Sequence, residues 1–173
     1  MKKKVGAQMS HMVDIYLREA VVADGPILES YQLEDSQYTT MPMEAMTESL
    51  HIIEKYPILI LVENDLAGFF ILEIGMDVQI YTDEPNTVLL RAYSIDDRFQ
   101  GKGYGKLSLE RLHGFVETKF PSIKKVVLAV NHGNISAQML YLKAGFYDTK
   151  RRIHGIKGVQ FVFEMDINET SKE

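Results

Sequence analysis

The feature that most constrains the fold is a run of alternating glycines in the middle of the chain. It follows an apolar, β-rich stretch at 87–95 and leads into an amphipathic stretch at 103–117. The run reads Gln100-Gly101-Lys102-Gly103-Tyr104-Gly105-Lys106. With a further apolar stretch at 124–130, it forms a strand–loop–helix–strand crossover, so the two strands are predicted to lie parallel in one sheet.

The chemistry of this run favours an anionic ligand. Glycine lets the backbone turn sharply and approach a ligand closely. The unpaired amides and the positive dipole end of a helix N-terminus attract a phosphate, and Lys102 and Lys106 add positive charge. A plain tight turn needs only one glycine, so three at alternate positions favour a phosphate-binding loop.

Two common nucleotide-binding loops do not fit the run. In a P-loop the Gly-Lys pair is followed by Ser or Thr, but here Leu107 follows Lys106. A dinucleotide fingerprint has Gly-x-Gly-x-x-Gly spacing and an acidic residue about twenty positions further on. This chain has different glycine spacing and carries Ser122-Ile123-Lys124-Lys125 in that region. The phosphate therefore belongs to another class of ligand.

Hydrophobic periodicity predicts the remaining elements. Strands are expected at 13–18, 58–63, 66–74, 87–95, 124–130, 146–151 and 159–167, and helices near 24–31 and 42–53 and at 103–117 and 135–143. Asp24 is expected to cap the first helix. The second helix is predicted to bury Met43, Met46, Leu50 and Ile53. This order gives an α/β fold with a mixed central sheet flanked by helices.

The length of the chain fits one domain. Its 173 residues lie close to the commonest domain size, and 13–167 is predicted to be that domain. Residues 1–12 are predicted to be an N-terminal extension, because Ser10-His11-Met12 resembles a cloning junction. Residues 168–173 form a polar C-terminal tail that we expect to be frayed.

A second motif lies downstream of the glycine run, and together the two point to a family. Gln/Arg-x-x-Gly-x-Gly/Ala is the pyrophosphate loop of the GCN5-related N-acetyltransferases (GNAT), and Gln100–Gly105 matches it at every specified position. The segment Asn134–Phe146 resembles the family's Asn-x-x-Ala-x-x-Leu-Tyr-x-Lys-x-Gly-Phe segment. The resemblance to the GNAT family is close over 87–146, and the element order fits over 13–167.

The resemblance implies a GNAT fold and the transfer of an acetyl group from acetyl-CoA to an amine. In this family the two central parallel strands splay apart and the pantetheine arm of the cofactor lies between them. Backbone groups near Tyr93 and Ile95 would bind the pantetheine, and the amides from Gly101 to Lys106 would bind the pyrophosphate. The implied cofactor-binding residues are Tyr93, Ile95, Gln100, Gly101, Lys102, Gly103, Tyr104, Gly105, Lys106 and Asn134.

The same resemblance assigns two roles on the segment 134–146. Tyr141 occupies the family's general-acid position, where a phenol can protonate the departing CoA thiolate. A phenol with an ordinary pKa near 10 is protonated at pH 7. The alternative is that Tyr141 is a core aromatic residue. Asn134 would contact the cofactor, cap the following helix, or do both.

The general base is not identified by the sequence. Some members of the family place a carboxylate on the strand before the glycine loop, but Leu89, Arg91 and Ala92 occupy those positions here. The candidates elsewhere are Glu34, Asp35 and Glu73, or a carboxylate that acts through water.

Charge is divided unequally along the chain. Residues 1–97 hold 17 acids and 6 bases, residues 98–173 hold 7 acids and 13 bases, and the whole chain carries a net charge of −5. The acidic part supplies the walls that shape the acceptor site in this family, which favours a small cationic amine such as a polyamine. The run 95–103 also resembles bacterial polyamine acetyltransferases, although Arg91 would repel a cation. Amino acids, peptide N-termini and aminoglycosides are the other acceptors, and a non-catalytic CoA-binding module on the same fold is the alternative to an enzyme.

Composition opposes several other classes of function. The chain has no cysteine, which excludes disulfides and thiol nucleophiles and fits a reducing, cytoplasmic setting. No apolar run reaches the roughly 18 residues that span a bilayer. The isolated histidines show no metal-binding spacing, and a pI of about 5.6 opposes nucleic-acid binding. The expected partners are acetyl-CoA and a small amine, with a homodimer only by analogy to the family.

Overall fold

The computed structural model describes residues 12–167. Apart from Met12, the predicted extension 1–12 lies outside the described residues, as does the tail 168–173. The strands are β1 Ile15–Glu19, β2 Lys55–Val62, β3 Asp65–Glu73, β4 Thr87–Ile95, β5 Lys125–Asn131, β6 Tyr147–Gly155 and β7 Gly158–Asp166. The helices are α1 Gly25–Glu29, α2 Pro42–Ser49, α3 Tyr104–Lys119 and α4 Ile135–Lys143, with 3-10 turns at Val22–Asp24, Met76–Ile80 and Asp97–Phe99.

The seven strands form one mixed sheet in the order β1-β2-β3-β4-β5-β7-β6. Neighbouring strands are antiparallel except for β4 and β5, which are parallel and are joined through α3. The predicted fold class is therefore confirmed, and so is the parallel crossover built on the glycine run. The bounds of β4 and α4 coincide with the predicted 87–95 and 135–143.

Apolar clusters cover both faces of the sheet. Side chains alternate along β2, because successive residues of a strand point to opposite faces. Ile58 and Ile60 pack into the core beneath α3 and α4, whereas Leu59 and Leu61 pack into the core beneath α1 and α2. The sheet is thus a central layer between two helical layers.

The hairpin between β2 and β3 turns through two residues with positive φ. These are Glu63 (φ 48°) and Asn64 (φ 72°), which is the backbone of a type I′ turn that suits the twist of the flanking strands. The predicted strands 58–63 and 66–74 leave residues 64–65 for the turn, so the observed turn lies one residue earlier and Asp65 begins β3.

The predicted buried face of the second helix is wrong at its C-terminal end. α2 ends at Ser49, and Leu50 and Ile53 are 49% and 92% exposed. Two consecutive turns, closed by the amide of Ile52 to the carbonyl of Ser49 and by the amide of Lys55 to the carbonyl of Ile52, carry the chain away from the core and into β2. Met46 is buried as expected.

The predicted cap of the first helix is also wrong. The Asp24 side chain makes no capping hydrogen bond to α1. Its carboxylate instead forms an ion pair with Arg18 at 2.7 Å and accepts the amide of Val21. The Arg18 guanidinium holds the pKa of this carboxyl below its usual value. Leu28 and Tyr31, within the predicted helix 24–31, are buried, whereas Ile27 is exposed.

Gly68 on β3 provides a test of the packing between the central strands. A methyl group there would lie 2.7 Å from Ile60 Cδ1 and 2.8 Å from both Ile95 Cδ1 and the Ser94 carbonyl oxygen. We expect Gly68→Ala to lower the free energy of unfolding by about 1–3 kcal/mol, because overpacking forces neighbouring atoms apart. Urea unfolding followed by circular dichroism measures the change.

Gly114 is the matched control for this substitution. It lies exposed in α3 with no neighbouring atom within 4 Å of an added methyl group. Gly114→Ala should raise the free energy of unfolding by about 0.5–1 kcal/mol, because alanine loses less backbone entropy in a helix. If both variants were stabilised, close packing at Gly68 would be refuted.

Candidate active site

A cleft of about 880 Å³ opens where β4 and β5 diverge. The two strands pair only from Thr87 with Lys125 to Leu89 with Val127. Beyond these pairs the cleft is lined by residues 90–95 of β4 and 128–131 of β5, by the glycine loop (residues 100–106) and by α4. The cleft therefore results from a parallel ladder that ends after three residue pairs.

A bulge in β4 lies beside this divergence. The β3–β4 register shifts between Phe69 and Ile71, and Ala92 has a φ of 52°. Non-glycine residues rarely adopt a positive φ, and such residues occur at bulges and functional sites. The sequence analysis missed this feature, because alanine carries no signal for a left-handed conformation.

The glycine loop presents open backbone amides at the start of α3. Gly101 and Gly103 have φ values of 75° and 81°, and no atom lies within 4 Å of a Cβ built on either residue. Gly103 is the N-cap of α3 and supplies no side-chain cap, so the first-turn amides have no intrahelical acceptor. This arrangement fits the pyrophosphate of acetyl-CoA, because unpaired amides and the helix dipole both attract an anion.

Gly105 serves a different purpose from the other two glycines. A Cβ at Gly105 would lie 3.3 Å from both terminal methyl groups of Leu140 on α4. Its φ is not in the left-handed region. Gly105 thus allows α3 and α4 to pack closely, whereas Gly101 and Gly103 keep the space in front of the loop open.

The predicted cofactor residues lie together around the cleft, with one exception. Those that line it are Tyr93, Ile95, Gln100, Gly101, Gly103, Tyr104, Gly105, Lys106 and Asn134. Lys102 lies outside the lining, and its ammonium is 5.8 Å from the centroid of the Phe99 ring. Lys106 Nζ lies 3.4 Å from a carboxylate oxygen of Glu110.

Two tyrosines meet at the inner wall of the cleft but differ in their hydroxyl groups. The Tyr93 hydroxyl donates to the carbonyl of Gly105 and lies 2.6 Å from Ser108 Oγ, so it braces β4 against α3. The Tyr141 ring packs edge-on against Tyr93 at 5.9 Å and against Phe146 at 5.7 Å. Its hydroxyl has no hydrogen-bond partner among the described residues.

Tyr141 combines the predicted core position with access to the cleft. The residue is 7% exposed and lines the cleft. Burial raises the pKa of its phenol above the ordinary value, so the hydroxyl stays protonated at neutral pH. The structure is compatible with both interpretations of Tyr141, as a core aromatic residue and as an acid at the cleft.

Asn134 occupies the N-cap of α4 and also lines the cleft. Its side-chain oxygen accepts the amide of Ala137 at 3.3 Å. The capping interaction fixes the start of the helix that carries Tyr141.

The segment between α1 and α2, here called the α1–α2 loop (residues 30–41), forms the opposite wall of the cleft. Leu33, Asp35 and 37–40 line it. A second cavity of about 230 Å³ adjoins the cleft, shares Thr39 with it, and reaches Glu48 on α2. Thr39 Oγ1 is buried and has no hydrogen-bond partner among the described residues. The sequence analysis singled out neither Thr39 nor Glu48, since a lone hydroxyl and a helical glutamate carry no distinctive signal.

The three candidate bases differ in their position relative to the cleft. Asp35 lines the cleft, whereas Glu34 does not. Glu73 is only 3% exposed and forms an ion pair with Arg91 at 2.7 Å. Arg91 does face the cleft, but its positive charge is compensated by this buried carboxylate.

The part of the chain that the structure describes, 12–167, contains no group of three or more His, Asp or Glu residues arranged to hold a metal ion. Over the same residues, none of the helices is both long and apolar enough to cross a membrane.

The divergence of β4 from β5 and the open glycine loop are features that the resemblance to the GNAT family predicts. A family model described as the acetyltransferase (GNAT) family matches residues 25–146. The chain therefore belongs to the GNAT acetyltransferase family.

Two proteins of Bacillus subtilis (strain 168) are similar in sequence. One is YbbJ, an uncharacterised N-acetyltransferase, which is 38% identical over 140 residues that cover 79% of this chain and 88% of YbbJ. The other is a spermine/spermidine N(1)-acetyltransferase, 34% identical over 91 residues that cover 52% of this chain and 58% of that protein. Both relatives are named as N-acetyltransferases, in agreement with the family assignment.

Solved structures share the fold at low sequence identity. AAC(6')-Ib in complex with paromomycin and acetyl-CoA superposes with a TM-score of 0.72 and 17% identity, over 92% of this chain and 98% of that chain. A chimera of spermidine N-acetyltransferase SpeG from Vibrio cholerae and hSSAT superposes with a TM-score of 0.64 and 18% identity. The match covers 88% of this chain and 95% of that chain. At these identities the comparison establishes the fold.

The open space at Gly103 leads to a binding prediction. A valine there would place its side chain in front of the first-turn amides of α3, so we expect Gly103→Val to weaken acetyl-CoA binding at least about tenfold, a loss of about 1.4 kcal/mol. Isothermal titration calorimetry measures the affinity.

Gly145→Val is the matched control, because Gly145 also has a positive φ (104°) and open surroundings but lies outside the cleft lining. It should carry a comparable backbone strain without altering acetyl-CoA affinity. Equal weakening in both variants would mean that strain, and not the occupied space, is responsible.

Proposed function

We propose that this enzyme transfers the acetyl group of acetyl-CoA directly to the primary amine of a small molecule, with Tyr141 as the general acid. The observation that carries the proposal is that Tyr141 lines the cleft beside Tyr93 and that its hydroxyl, protonated at neutral pH, has no competing hydrogen bond within residues 12–167. A group in this state can give its proton to a leaving thiolate.

The cofactor would be held along β4 and the glycine loop. The amides of residues 101–106 would bind the pyrophosphate, and the backbone of β4 near Tyr93 and Ile95 would bind the pantetheine arm beyond Leu89, where β4 has no pairing with β5. Bound acetyl-CoA supplies the activated thioester. The chain's part is to orient it, to exclude water and to hold a proton at Tyr141 Oη.

The acceptor would enter against the α1–α2 loop. Asp35 in the cleft and Glu48 in the adjoining cavity attract a cationic amine. Arg91 does not oppose this, because Glu73 neutralises it. A polyamine-like acceptor fits these charges, and the similarity to a spermine/spermidine acetyltransferase supports the same class.

The size of the adjoining cavity favours a slender acceptor over a bulky one. Its volume of about 230 Å³ is below the range of roughly 300–1,000 Å³ that drug-sized ligands occupy. An alkyl amine can extend into such a cavity, whereas an aminoglycoside would remain in the wider cleft.

An acceptor screen tests the proposal directly. The purified chain is incubated with acetyl-CoA and spermidine, spermine, kanamycin, single amino acids or a short peptide, and CoA release is followed with a thiol reagent. We expect the polyamines to give the fastest release above the hydrolytic background. Tight acetyl-CoA binding without transfer to any amine would contradict the proposed function and favour a CoA-binding module.

Substitution of Tyr141 tests the role of the acid. Tyr141→Phe should lower kcat by roughly 10²–10⁴-fold, the usual contribution of a positioned general acid, and leave acetyl-CoA affinity unchanged because only the hydroxyl is removed. The control is Tyr147→Phe, which removes a hydroxyl that donates to Glu164 on the distant β6–β7 pair. An unchanged kcat for Tyr141→Phe would refute the assignment.

The raised pKa of Tyr141 predicts the alkaline part of the pH profile. An ordinary tyrosine loses its proton near pH 10, but burial favours the neutral phenol and moves this loss to higher pH. The ratio of kcat between the wild type and Tyr141→Phe should therefore stay constant from about pH 8 to 10. A ratio that falls with a midpoint below pH 10 would contradict a raised pKa for the Tyr141 phenol.

A further inference from the structure

The α1–α2 loop is held by hydrogen bonds to residues 94–97, which lie shortly before the glycine loop in the chain. The hydroxyls of Tyr31 and Ser94 lie 2.8 Å apart in the interior. The Asp96 carboxylate, which is fully buried, accepts the amide of Gln32 at 2.9 Å. The α1–α2 loop, also called the acceptor wall because the acceptor is proposed to enter against it, is thus attached to the chain segment that leads into the glycine loop.

Asp97 makes four contacts with these two loops, one of which is the hydrogen bond from the Gln100 amide to its carbonyl at 3.5 Å. The Asp97 amide donates to the carbonyl of Gln32 at 2.8 Å. One carboxylate oxygen accepts the amide of Glu34 at 2.7 Å, and the other accepts Nε2 of Gln100 at 3.1 Å. A single exposed carboxylate therefore bridges the backbone of the α1–α2 loop and the first side chain of the glycine loop.

Asp96 lies next to this bridge and stabilises the surrounding backbone, but its carboxylate does not contact Glu34 or Gln100. Its carboxylate is held by the guanidinium of Arg98 at 2.8 Å and by the backbone amide of Arg98 at 2.9 Å. The Arg98 guanidinium also donates to the carbonyl of Ser30. Removal of the Asp97 side chain would leave this frame in place, so the loss of the bridge can be studied in a folded chain.

The far part of the α1–α2 loop rests on a different support. Nζ of Lys157, in the turn between β6 and β7, donates to the carbonyl of Gln37. The Tyr38 hydroxyl lies against Gly133 in the turn between β5 and α4. The loop thus spans the cleft between two supports, and only the support at 94–97 is continuous with the cofactor loop.

We propose that Asp97 is a positioning residue that transmits occupation of the glycine loop to the α1–α2 loop, so that bound CoA orders the acceptor wall. The inference rests on the proposed function, since it requires CoA to bind the glycine loop. A ligand that fixes Gln100 also fixes the carboxylate to which Gln100 donates, and this carboxylate holds the amide of Glu34. Coupling of this kind is reciprocal, so an ordered acceptor wall would also favour CoA binding.

Amide hydrogen exchange measured by NMR tests the coupling with CoA alone as the probe. In the wild type, saturating CoA should slow exchange of the amides of residues 35–39 by about fivefold or more, the lower end of typical coupling between sites. These amides do not bond to Asp97, so they report order in the loop and not the bridge itself. In Asp97→Ala the ratio of the exchange rate without CoA to the rate with CoA, here called the CoA-dependent ratio, should fall to one.

Asp97→Asn separates the bridge from the stability of the loop. The amide side chain has one acceptor oxygen, so in either orientation it leaves one of the two contacts unmade. When the oxygen faces Glu34, exchange without CoA stays close to that of the wild type, yet the effect of CoA is lost. A residue with a merely structural role would change the exchange rates equally with and without CoA.

The control is Asp83→Ala, which removes an exposed carboxylate 3.5 Å from Arg151 and outside the cleft. It should keep the full CoA-dependent ratio. CoA binding is measured separately by calorimetry. A chain that fails to bind CoA overturns the proposed function together with this inference. A chain that binds CoA but shows no change in the loop, or shows the wild-type change in Asp97→Ala, overturns the inference alone.

Discussion

The end of the β4–β5 ladder after Leu89 and Val127 is the constraint on which the rest of the structure depends. Two parallel strands that stop pairing leave backbone donors and acceptors without strand partners, and such groups require other partners or solvent. The sheet tolerates this opening because the strands remain fixed on their outer sides. β4 pairs with β3 as far as Ile95, and β5 pairs with β7 over its whole length. The gap is thus held open by its neighbours and does not collapse.

The bulge at Ala92 and the contact between Tyr93 and α3 belong to the same arrangement. A bulge shifts the register by one residue and bends the strand, which leads β4 away from β5. The Tyr93 hydroxyl then anchors the diverging strand to the carbonyl of Gly105. Tyr141 packs beside Tyr93 and lines the cleft, and its hydroxyl has no hydrogen-bond partner within residues 12–167. The Tyr93 hydroxyl is therefore used for structure, whereas the Tyr141 hydroxyl is the one to which the proposed function assigns a chemical role.

Sequence reasoning succeeded where local pattern and chemistry agree. The bounds of β4 and α4 agree with those predicted from hydrophobic periodicity, and the glycine loop carries its own chemistry. It failed at α2, where Ile53 has helical spacing but the chain has already turned toward β2. It could not locate the bulge at Ala92, the Glu73–Arg91 pair or the Asp97 bridge, because each of these depends on residues brought together by the sheet.

The charge division of the sequence has a different meaning in the folded chain. Many acids of residues 1–97 are committed to structural partners and not to the acceptor: Asp24 pairs with Arg18, Glu73 with Arg91, Asp96 with Arg98 and Glu19 with Lys119. Asp97 holds the α1–α2 loop. The carboxylates that line the two cavities are those of Asp35 and Glu48.

Under the proposed function, the attraction for a cationic acceptor would therefore be local and not a property of residues 1–97 as a whole. Charges separated by more than about 10 Å are largely screened at physiological salt, so the distant acids of residues 1–97 contribute little at the acceptor wall. Two carboxylates on different elements, one on the α1–α2 loop and one on α2, suit an acceptor with more than one positive charge better than a single amine. Under the proposed function, the position of the α1–α2 loop would set the distance between these carboxylates, so the contact of Asp97 with the loop would influence which acceptors bind.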